Sequence, residues 1–208
     1  RADTLRVVGE RTRSMSRMIV AHGDAAVDSA VQIINSIEPM VRNWDLQDPD
    51  TGRSIFARLQ EMSKNNTVIA AGWVVDAKGT NVVDSWSYPP KPVSGAERPY
   101  FTYHTRDGME MAVAGDDKPG SVTGKERFTV SRALRNPDGT LKAILVVGIY
   151  KSTFDTLYKE AVTWPGARAG LYTTTGDVLA RITSIKRASP GFIEEMNRRV
   201  AAEANGTA

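Results

Sequence analysis

The sequence begins with a helical pattern that is much longer than the helices of most globular proteins. From Leu5 to Trp44 the only proline is Pro39, and apolar residues recur at mixed intervals of three and four. This spacing predicts one helix of about 40 residues, or about 60 Å at 1.5 Å per residue. A helix of this length normally packs on a partner helix or projects from its domain. We expect Pro39 to kink it near its end.

The composition indicates a globular chain and excludes several kinds of site. Of 208 residues 41% are hydrophobic, and 27 basic and 24 acidic residues are mixed along the sequence. Because the basic residues form no block, we expect no nucleic-acid partner. Without cysteine, thiolate metal sites and cysteine nucleophiles are excluded. No other spacing indicates a metal site, a cofactor or a catalytic set, so we predict that this chain is not an enzyme.

After the long helix, the pattern changes from helical to strand periodicity. A short amphipathic helix is predicted around Leu59. The segment VIAAGWVVDAKGTNVVDSWSY then predicts two strands joined by a tight turn at Gly79. Three more strands are predicted in MEMAVAG, RFTVSRAL and LKAILVVGIY. A further helix, TFDTLYKEA, is expected to be capped by Ser152.

These elements predict an α+β fold, in which a long helix precedes a five-stranded antiparallel sheet with helices on one face. A weak internal repeat links AGWVVDAKGTNVV, from Ala71, with AGLYTTTGDVLAR, from Ala169. A second, smaller module therefore begins there and continues into the predicted helix PGFIEEMNRRVAAEAN. We expect a helical segment over residues 1–45, a first module over 46–162 and an incomplete second module over 163–208.

In order and spacing, these segments resemble the double-Cache family of PAS-like sensor domains, which lie outside bacterial membranes. The resemblance rests on the long helix and on VVDAKGTNVVDSW, RPYF, TGKERFTVSRAL, NPDGTLKAILVVGIY and STFDTLY. It covers roughly residues 1–161, and 169 to about 200 as the start of the membrane-proximal module. The receptors with such domains are histidine kinases, chemoreceptors and diguanylate cyclases. The resemblance implies a periplasmic domain flanked by transmembrane helices, most simply in a histidine kinase.

The resemblance also implies a ligand site in the first, membrane-distal module. RPYF falls where amino-acid-binding members carry an arginine, one intervening residue and two aromatic residues. Arg98 would take a ligand carboxylate, and Tyr100 and Phe101 would wall the pocket. A guanidinium offers a planar fork that matches a carboxylate, and aromatic walls exclude water from such a pair.

Two departures from the family pattern change the expected ligand. Amino-acid-binding members place an aspartate on the last strand, where this chain has Tyr150, and a tyrosine before the arginine, where it has Val93 and Ser94. A buried ammonium without an acid would cost several kcal/mol. We therefore expect an organic acid, held with help from the hydroxyls of Tyr100, Tyr103 or Tyr150.

The remaining candidate residues have alternative interpretations. Trp86 and Ser85 on the second strand would line the pocket, although tryptophans at these positions, Trp73 included, usually pack in a core. His104, on a short helix, would be a ligand contact, a pH-sensitive group or a satisfied buried residue. Arg98 itself would be a ligand anchor, a surface stack or part of a structural salt bridge.

The sequence therefore predicts a domain that binds a small molecule and signals through helix rearrangement. We expect a homodimer through the stripe from Met15 to Val31 on the long helix. Two other classes remain open. One is a module whose pocket is filled by its own side chains and whose partner is a protein. The other is a hydrolase or lyase on a PAS-like scaffold, which a perturbed acid and base pair in the pocket would indicate.

Overall fold

The predicted long helix is present and lies along one face of a sheet. The computed structural model describes residues 2–116, 118–122, 124–155, 158–159, 169–181 and 190–204. Helix α1 runs over Ala2–Asn43, and the chain stays helical through Pro39. Its buried residues, among them Ile34 and Ile37, belong to one large apolar core with the sheet. The helical stripe read from the sequence is thus largely an internal packing face.

The second helix begins where the sequence carries a strong start signal. Helix α2 spans Pro49–Lys64, with Pro49 in its first turn. The side chain of Asp48 accepts hydrogen bonds from the backbone N–H groups of Asp50 and Thr51, which satisfies donors that a helix start leaves unpaired. Leu59 is fully buried against the sheet. Helices α1 and α2 therefore cover the same face together.

The sheet has the five antiparallel strands that the sequence predicts. The strands are β1 (Ile69–Asp76), β2 (Asn81–Asp84), β3 (Met111–Gly115), β4 (Arg127–Arg135) and β5 (Leu141–Tyr150). Their spatial order is β2-β1-β5-β4-β3, so β1, β5 and β4 lie inside the sheet and β2 and β3 form its edges. The turn between β1 and β2 places Gly79 at φ +83°, a conformation that side chains other than glycine rarely adopt.

The sheet is buried on both faces, unlike the one-sided arrangement that the sequence led us to expect. On β1, Val74 belongs to the core under α1 and α2. Trp73 and Val75 point the other way, into a second core with Phe101. This second core lies under helix α3 (Pro99–Thr105) and the loops around it. The sequence signal for this two-sided burial is the continuous apolar run over residues 143–149 of β5, which is typical of a strand covered on both faces. All of these residues are buried.

A small hairpin packs against the end of the first module. It consists of β6 (Gly170–Tyr172) and β7 (Val178–Arg181), followed by helix α4 over Pro190–Ala204, as the repeat and the last helical pattern predict. Strand β7 contacts β3 and the 3-10 helix Lys151–Phe154. The 3-10 helix has Tyr150 as its N-cap, so Ser152 lies inside it and is not the predicted cap. Of the helix predicted over residues 153–161, positions 156, 157, 160 and 161 lie outside the described part of the chain. No helix in the described part combines the length and apolarity that crossing a bilayer requires.

Helix α3 is fixed to the sheet by His104. Its Nδ1 lies 2.5 Å from the carbonyl oxygen of Met109, and its Nε2 lies 2.9 Å from Oγ of Ser131 on β4. The imidazole is buried, and burial lowers the pKa of His104 below its usual range, an effect that the nearby Arg135 charge reinforces. His104 is therefore neutral near pH 7 and holds α3 in place.

Replacing Ile34 by alanine tests whether α1 carries the main core. Because Ile34 is fully buried between α1 and the sheet, Ile34→Ala should lower the free energy of unfolding by about 2–5 kcal/mol. Urea unfolding followed by circular dichroism measures the change. Val20→Ala, at a position that is 50% exposed on the same helix, should change the stability little. Equal effects of the two substitutions would contradict this packing.

The state of His104 predicts a pH dependence of stability. The unfolded histidine takes up a proton near its usual pKa, while the folded one resists protonation. The stabilisation is thus complete above about pH 6.5 and is lost as the pH falls, by at most about 1.4 kcal/mol per pH unit. Unfolding free energies between about pH 8 and 5.5 should decrease more steeply for the wild type than for His104→Gln. Parallel curves would show that His104 does not titrate in this way.

Candidate ligand-binding site

A small cavity lies on the α3 side of the sheet, where the predicted site was expected. Its volume is about 30 Å³, which is enough for one or two water molecules. Strands β1, β2 and β4 form its floor, and α3 and two loops cover it. The lining residues are Trp73, Asn81, Trp86, Val93, Ser94, Arg98, Tyr100, Ser121, Val122 and Arg127.

Arg98, the expected carboxylate anchor, is engaged by its own protein. It precedes the first turn of α3 and forms a 2.8 Å ion pair from Nη1 to Asp116. Nη1 also donates to the carbonyl oxygen of Lys118, and Nη2 donates to the carbonyl of Pro119 and to Oγ of Ser121. These contacts use the four hydrogens of the two terminal nitrogens. Arg98 therefore ties α3 to the loop after β3, as in the structural interpretation left open above.

A second guanidinium, that of Arg127, lines the cavity, and its Nη1 has no hydrogen-bond partner among the described residues. Arg127 starts strand β4 opposite Tyr150 of β5. The residue is only 8% exposed, and no acceptor among the described residues reaches its buried Nη1. Burial lowers the pKa of Arg127, yet a guanidinium remains protonated in proteins. The cavity thus contains a buried positive charge with an unused donor.

Three aromatic rings wall the cavity around Arg127. The guanidinium lies 4.9 Å from the ring centre of Trp73. Trp86 stacks on Trp73 at 5.9 Å, and Tyr100 meets it edge-on at 5.5 Å. Burial raises the pKa of Tyr100, so its hydroxyl remains protonated. These walls keep water away from the charge, which strengthens any pairing with an anion.

On the opposite side of the cavity, Asn81 presents an unused acceptor. Its Nδ2 donates to Oδ2 of Asp84 at 2.7 Å and to the carbonyl oxygen of Lys91 at 3.4 Å. Its Oδ1 is buried and has no partner among the described residues. Asp84 also accepts hydrogen bonds from the backbone N–H groups of Trp86 and Ser87. One unpaired donor and one unpaired acceptor therefore line the same small space.

The structure brings only some of the predicted site residues together. Arg98, Tyr100 and Trp86 line the cavity. Phe101 packs in the second core, and His104 makes the two contacts described above.

The other three predicted residues also lie outside the cavity lining. Ser85 accepts a hydrogen bond from the backbone N–H of Gly72. Tyr103 hydrogen-bonds Asp177 of the hairpin through its hydroxyl. The ring of Tyr150 lies under the ammonium of Lys125. Tyr103 and Tyr150 thus supply no hydroxyl to the cavity in this arrangement.

Sequence reasoning did not select Arg127 or Asn81, and it treated Trp73 as a core residue. Arg127 opens a predicted strand that is otherwise apolar, and Asn81 follows the predicted turn at Gly79. The available signal was polarity at strand positions where the neighbours are apolar. That signal does not say which face a residue points to, because the face depends on the register of the sheet.

Two larger clefts lie where the hairpin meets the first module. One, of about 530 Å³, has Lys125, Lys151, Arg181 and two carboxylates in its lining. The other, of about 320 Å³, lies between α3 and the hairpin. Both mix charges of the two signs and have few aromatic walls. The part of the chain that the structure describes contains no group of three or more histidines and carboxylates suited to a metal. The small aromatic cavity is therefore the stronger ligand site.

Comparison with known proteins identifies the fold. No protein-family model matches the chain, and no curated protein matches it. Among solved structures, the extracellular domain of rpHK1S-Z16, classed as a histidine kinase, is 22% identical with a TM-score of 0.71, over 89% of this chain and 75% of that chain.

Two further structures are similar over comparable lengths. The sensor domain of the V. cholerae histidine kinase DctB is 12% identical with a TM-score of 0.60, over 94% of this chain and 77% of that one. The ligand-binding domain of the Pseudomonas aeruginosa PAO1 amino acid chemoreceptor PctC, in complex with GABA, is 16% identical with a TM-score of 0.59, over 86% and 76%. The predicted resemblance is confirmed at the level of the fold: the chain has the architecture of the sensor domains of bacterial histidine kinases and chemoreceptors.

Proposed function

We propose that this chain is the extracytoplasmic sensor domain of a bacterial transmembrane receptor, a histidine kinase, and that it binds a small organic anion in the aromatic cavity. The observation that carries the proposal is the buried, unpaired Nη1 of Arg127. A buried charge without a partner lowers stability, so a folded protein keeps one mainly where a ligand completes it. The fold shared with sensor domains of histidine kinases and chemoreceptors supports this interpretation.

The charges around the cavity favour an anion over a cation or a neutral molecule. Arg98 and Arg127 bring two positive charges, and Asp116 brings one negative charge, already paired with Arg98. Among the residues that line the cavity, the charge of Arg127 therefore has no partner carboxylate. A carboxylate would match the guanidinium of Arg127 with charge-assisted hydrogen bonds, about twice as strong as neutral ones.

Entry of a ligand requires the cover of the cavity to move. A volume of about 30 Å³ does not accommodate an organic acid. The cover is the loop that contains Ser121, which Arg98 holds through its ion pair to Asp116 and its bond to Ser121. Arg98 thus holds this loop closed, and Arg127 lies beneath the loop as the group that binds the ligand. When the contacts of Arg98 break and the loop moves, Arg127 becomes accessible to a ligand.

The same loop provides a route from the cavity to the hairpin. Gly115, directly before Asp116, packs so tightly on β7 that a side chain there would lie 2.4 Å from the carbonyl oxygen of Val178. On the other side of α3, Tyr103 hydrogen-bonds Asp177 in the turn before β7. Displacement of the loop or of α3 by a ligand would therefore move the hairpin. A ligand that prefers one of two arrangements shifts their populations, and such shifts carry the signal.

A module with a protein partner is the second candidate. It is favoured by the small volume of the cavity and by the inward packing of Phe101, which leave the site largely filled by its own side chains. The unpaired groups on Arg127 and Asn81 argue against it, because a permanently filled pocket would be more stable with apolar residues there.

Replacing Arg127 by methionine tests the anchor. Methionine keeps most of the volume and removes the charge, so Arg127→Met should abolish stabilisation by small carboxylates. For the wild type, a ligand at 100 times its dissociation constant adds about 2.7 kcal/mol, which a thermal shift detects. Without ligand, Arg127→Met should be as stable as the wild type or more stable, because a buried unpaired charge is lost.

Two control variants separate binding from folding. Arg58→Met changes an exposed arginine on α2 and should leave the carboxylate shifts intact. Arg98→Ala should destabilise the fold itself by about 3–5 kcal/mol, because it strands the buried carboxylate of Asp116. If no small carboxylate stabilises the wild type, or if Arg127→Met retains the full shift, the anion-binding proposal fails.

The predicted dimer through the Met15 to Val31 stripe remains part of the proposal. Ile19, Ala26 and Ala30 of this stripe are buried inside the chain, whereas Met18 is 50% exposed. The remaining surface around Met18 is thus the contact that we expect between two α1 helices. A shift of packed helices at such an interface is a known way to transmit a signal.

Sedimentation velocity over a range of concentrations tests the dimer. The wild type should associate, and Met18→Glu should weaken association about tenfold or more, because two like charges would face each other. Phe192→Glu, at an exposed apolar position of α4, is the matched control and should associate like the wild type. A wild type that stays monomeric at the highest concentration would contradict the dimer.

A further inference from the structure

Asn81 gives the cavity a second recognition element, and it restricts the chemistry of the ligand. Asn81 and Arg127 line the same cavity from different strands, β2 and β4. Both residues are buried, and each keeps one polar atom without a partner among the described residues. A ligand that satisfies both needs an anionic acceptor for Nη1 of Arg127 and a hydrogen-bond donor for Oδ1 of Asn81.

The orientation of the Asn81 amide is fixed by chemistry. An ionised carboxylate only accepts hydrogen bonds, and Oδ2 of Asp84 lies 2.7 Å from Nδ2 of Asn81. Turning the amide over would place two oxygens against each other at that distance. Oδ1 is therefore the atom that remains unpaired, and an acceptor faces the ligand at this position.

The donor on the ligand is a neutral hydroxyl and not an ammonium. No aspartate or glutamate among the described residues lines the cavity. The nearest candidates are already used, since Asp84 accepts three hydrogen bonds and Asp116 pairs with Arg98. An ammonium in this space would have a neutral amide oxygen as its partner and a guanidinium as its neighbour, at a large cost in desolvation.

We propose that the cavity selects 2-hydroxy carboxylates, with the carboxylate on Arg127 and the hydroxyl donating to Oδ1 of Asn81. Among acids that carry both groups, the 2-hydroxy acids are the smallest, and a cavity of about 30 Å³ needs the least opening for a small ligand. This inference rests on the proposed function, because it assigns the ligand class of the same site. Asn81 is thus a specificity residue for a site that Arg127 anchors.

Three matched ligands test the selection on the complete wild-type chain. Calorimetric titration with lactate, propionate and alanine compares a hydroxyl, a hydrogen and an ammonium on the same carbon skeleton, and glycolate, acetate and glycine repeat the comparison with one carbon less. The hydroxy acid should bind about tenfold or more tightly than the deoxy acid, because the latter leaves the buried acceptor unpaired. The amino acid should bind more weakly than either.

Substitution of Asn81 tests whether this residue causes the preference for the hydroxy acid. Asn81→Leu removes the acceptor at similar volume, so lactate and propionate should bind it with affinities within about twofold of each other. Asn43→Leu makes the same change at an exposed position and should retain the wild-type preference. If Asn81→Leu does not fold, the wild-type ligand series still decides the question.

The outcomes distinguish failure of the selection for hydroxy acids from failure of the proposed anion site. Equal binding of lactate, propionate and alanine would overturn the selection for a hydroxyl while leaving the anion site intact. A preference that persists in Asn81→Leu would overturn the role of Asn81. No binding of any of the six compounds by the wild type would overturn this inference, and continued binding of other carboxylates through Arg127 would then preserve the proposed function alone.

Discussion

Burial of the sheet on both faces is the constraint on which the rest of this structure depends. Because α1 and α2 cover one face and α3 with its loops covers the other, most side chains of the inner strands are buried. Apolar residues gain from this arrangement, and polar residues must find partners within the protein. His104 and Asp84 do so completely. Arg127 and Asn81 each keep one atom without a partner among the described residues, and this contrast is the reason that we propose them as binding groups.

The two arginines of the site have the same side chain but different surroundings. Arg98 has its terminal nitrogens bonded and stabilises the loop over the cavity. The backbone of Arg127 lies in strand β4 and its guanidinium lies over the ring of Trp73. Its Nη1 has no acceptor among the described residues. The first arrangement contributes stability, whereas the second lowers it, and the proposed anion would remove that cost. In the proposed function, the group that binds the ligand therefore lowers the stability of the free domain, as is common at sites that recognise ligands.

Much of the fold could be predicted from the sequence, because its signals are local. The long helix and the five strands follow from periodicity and turn chemistry. The second cover of the sheet was missed, although the continuous apolar run of β5 indicates it. For the site, RPYF led to α3 and to Tyr100, yet the partner of Arg98 could not be read from the sequence. Asp116 lies eighteen positions further on, and only the path of the loop after β3 brings it near.

The paired indoles of Trp73 and Trp86 have a consequence of a different kind. Two stacked rings with centres 5.9 Å apart couple their electronic transitions, and a guanidinium over one of them adds a fixed electric field. Both the spacing and the field depend on the position of the cover and on the charge state of the cavity. The indole pair would therefore report binding of the proposed ligand through near-ultraviolet dichroism and intrinsic fluorescence, without any label.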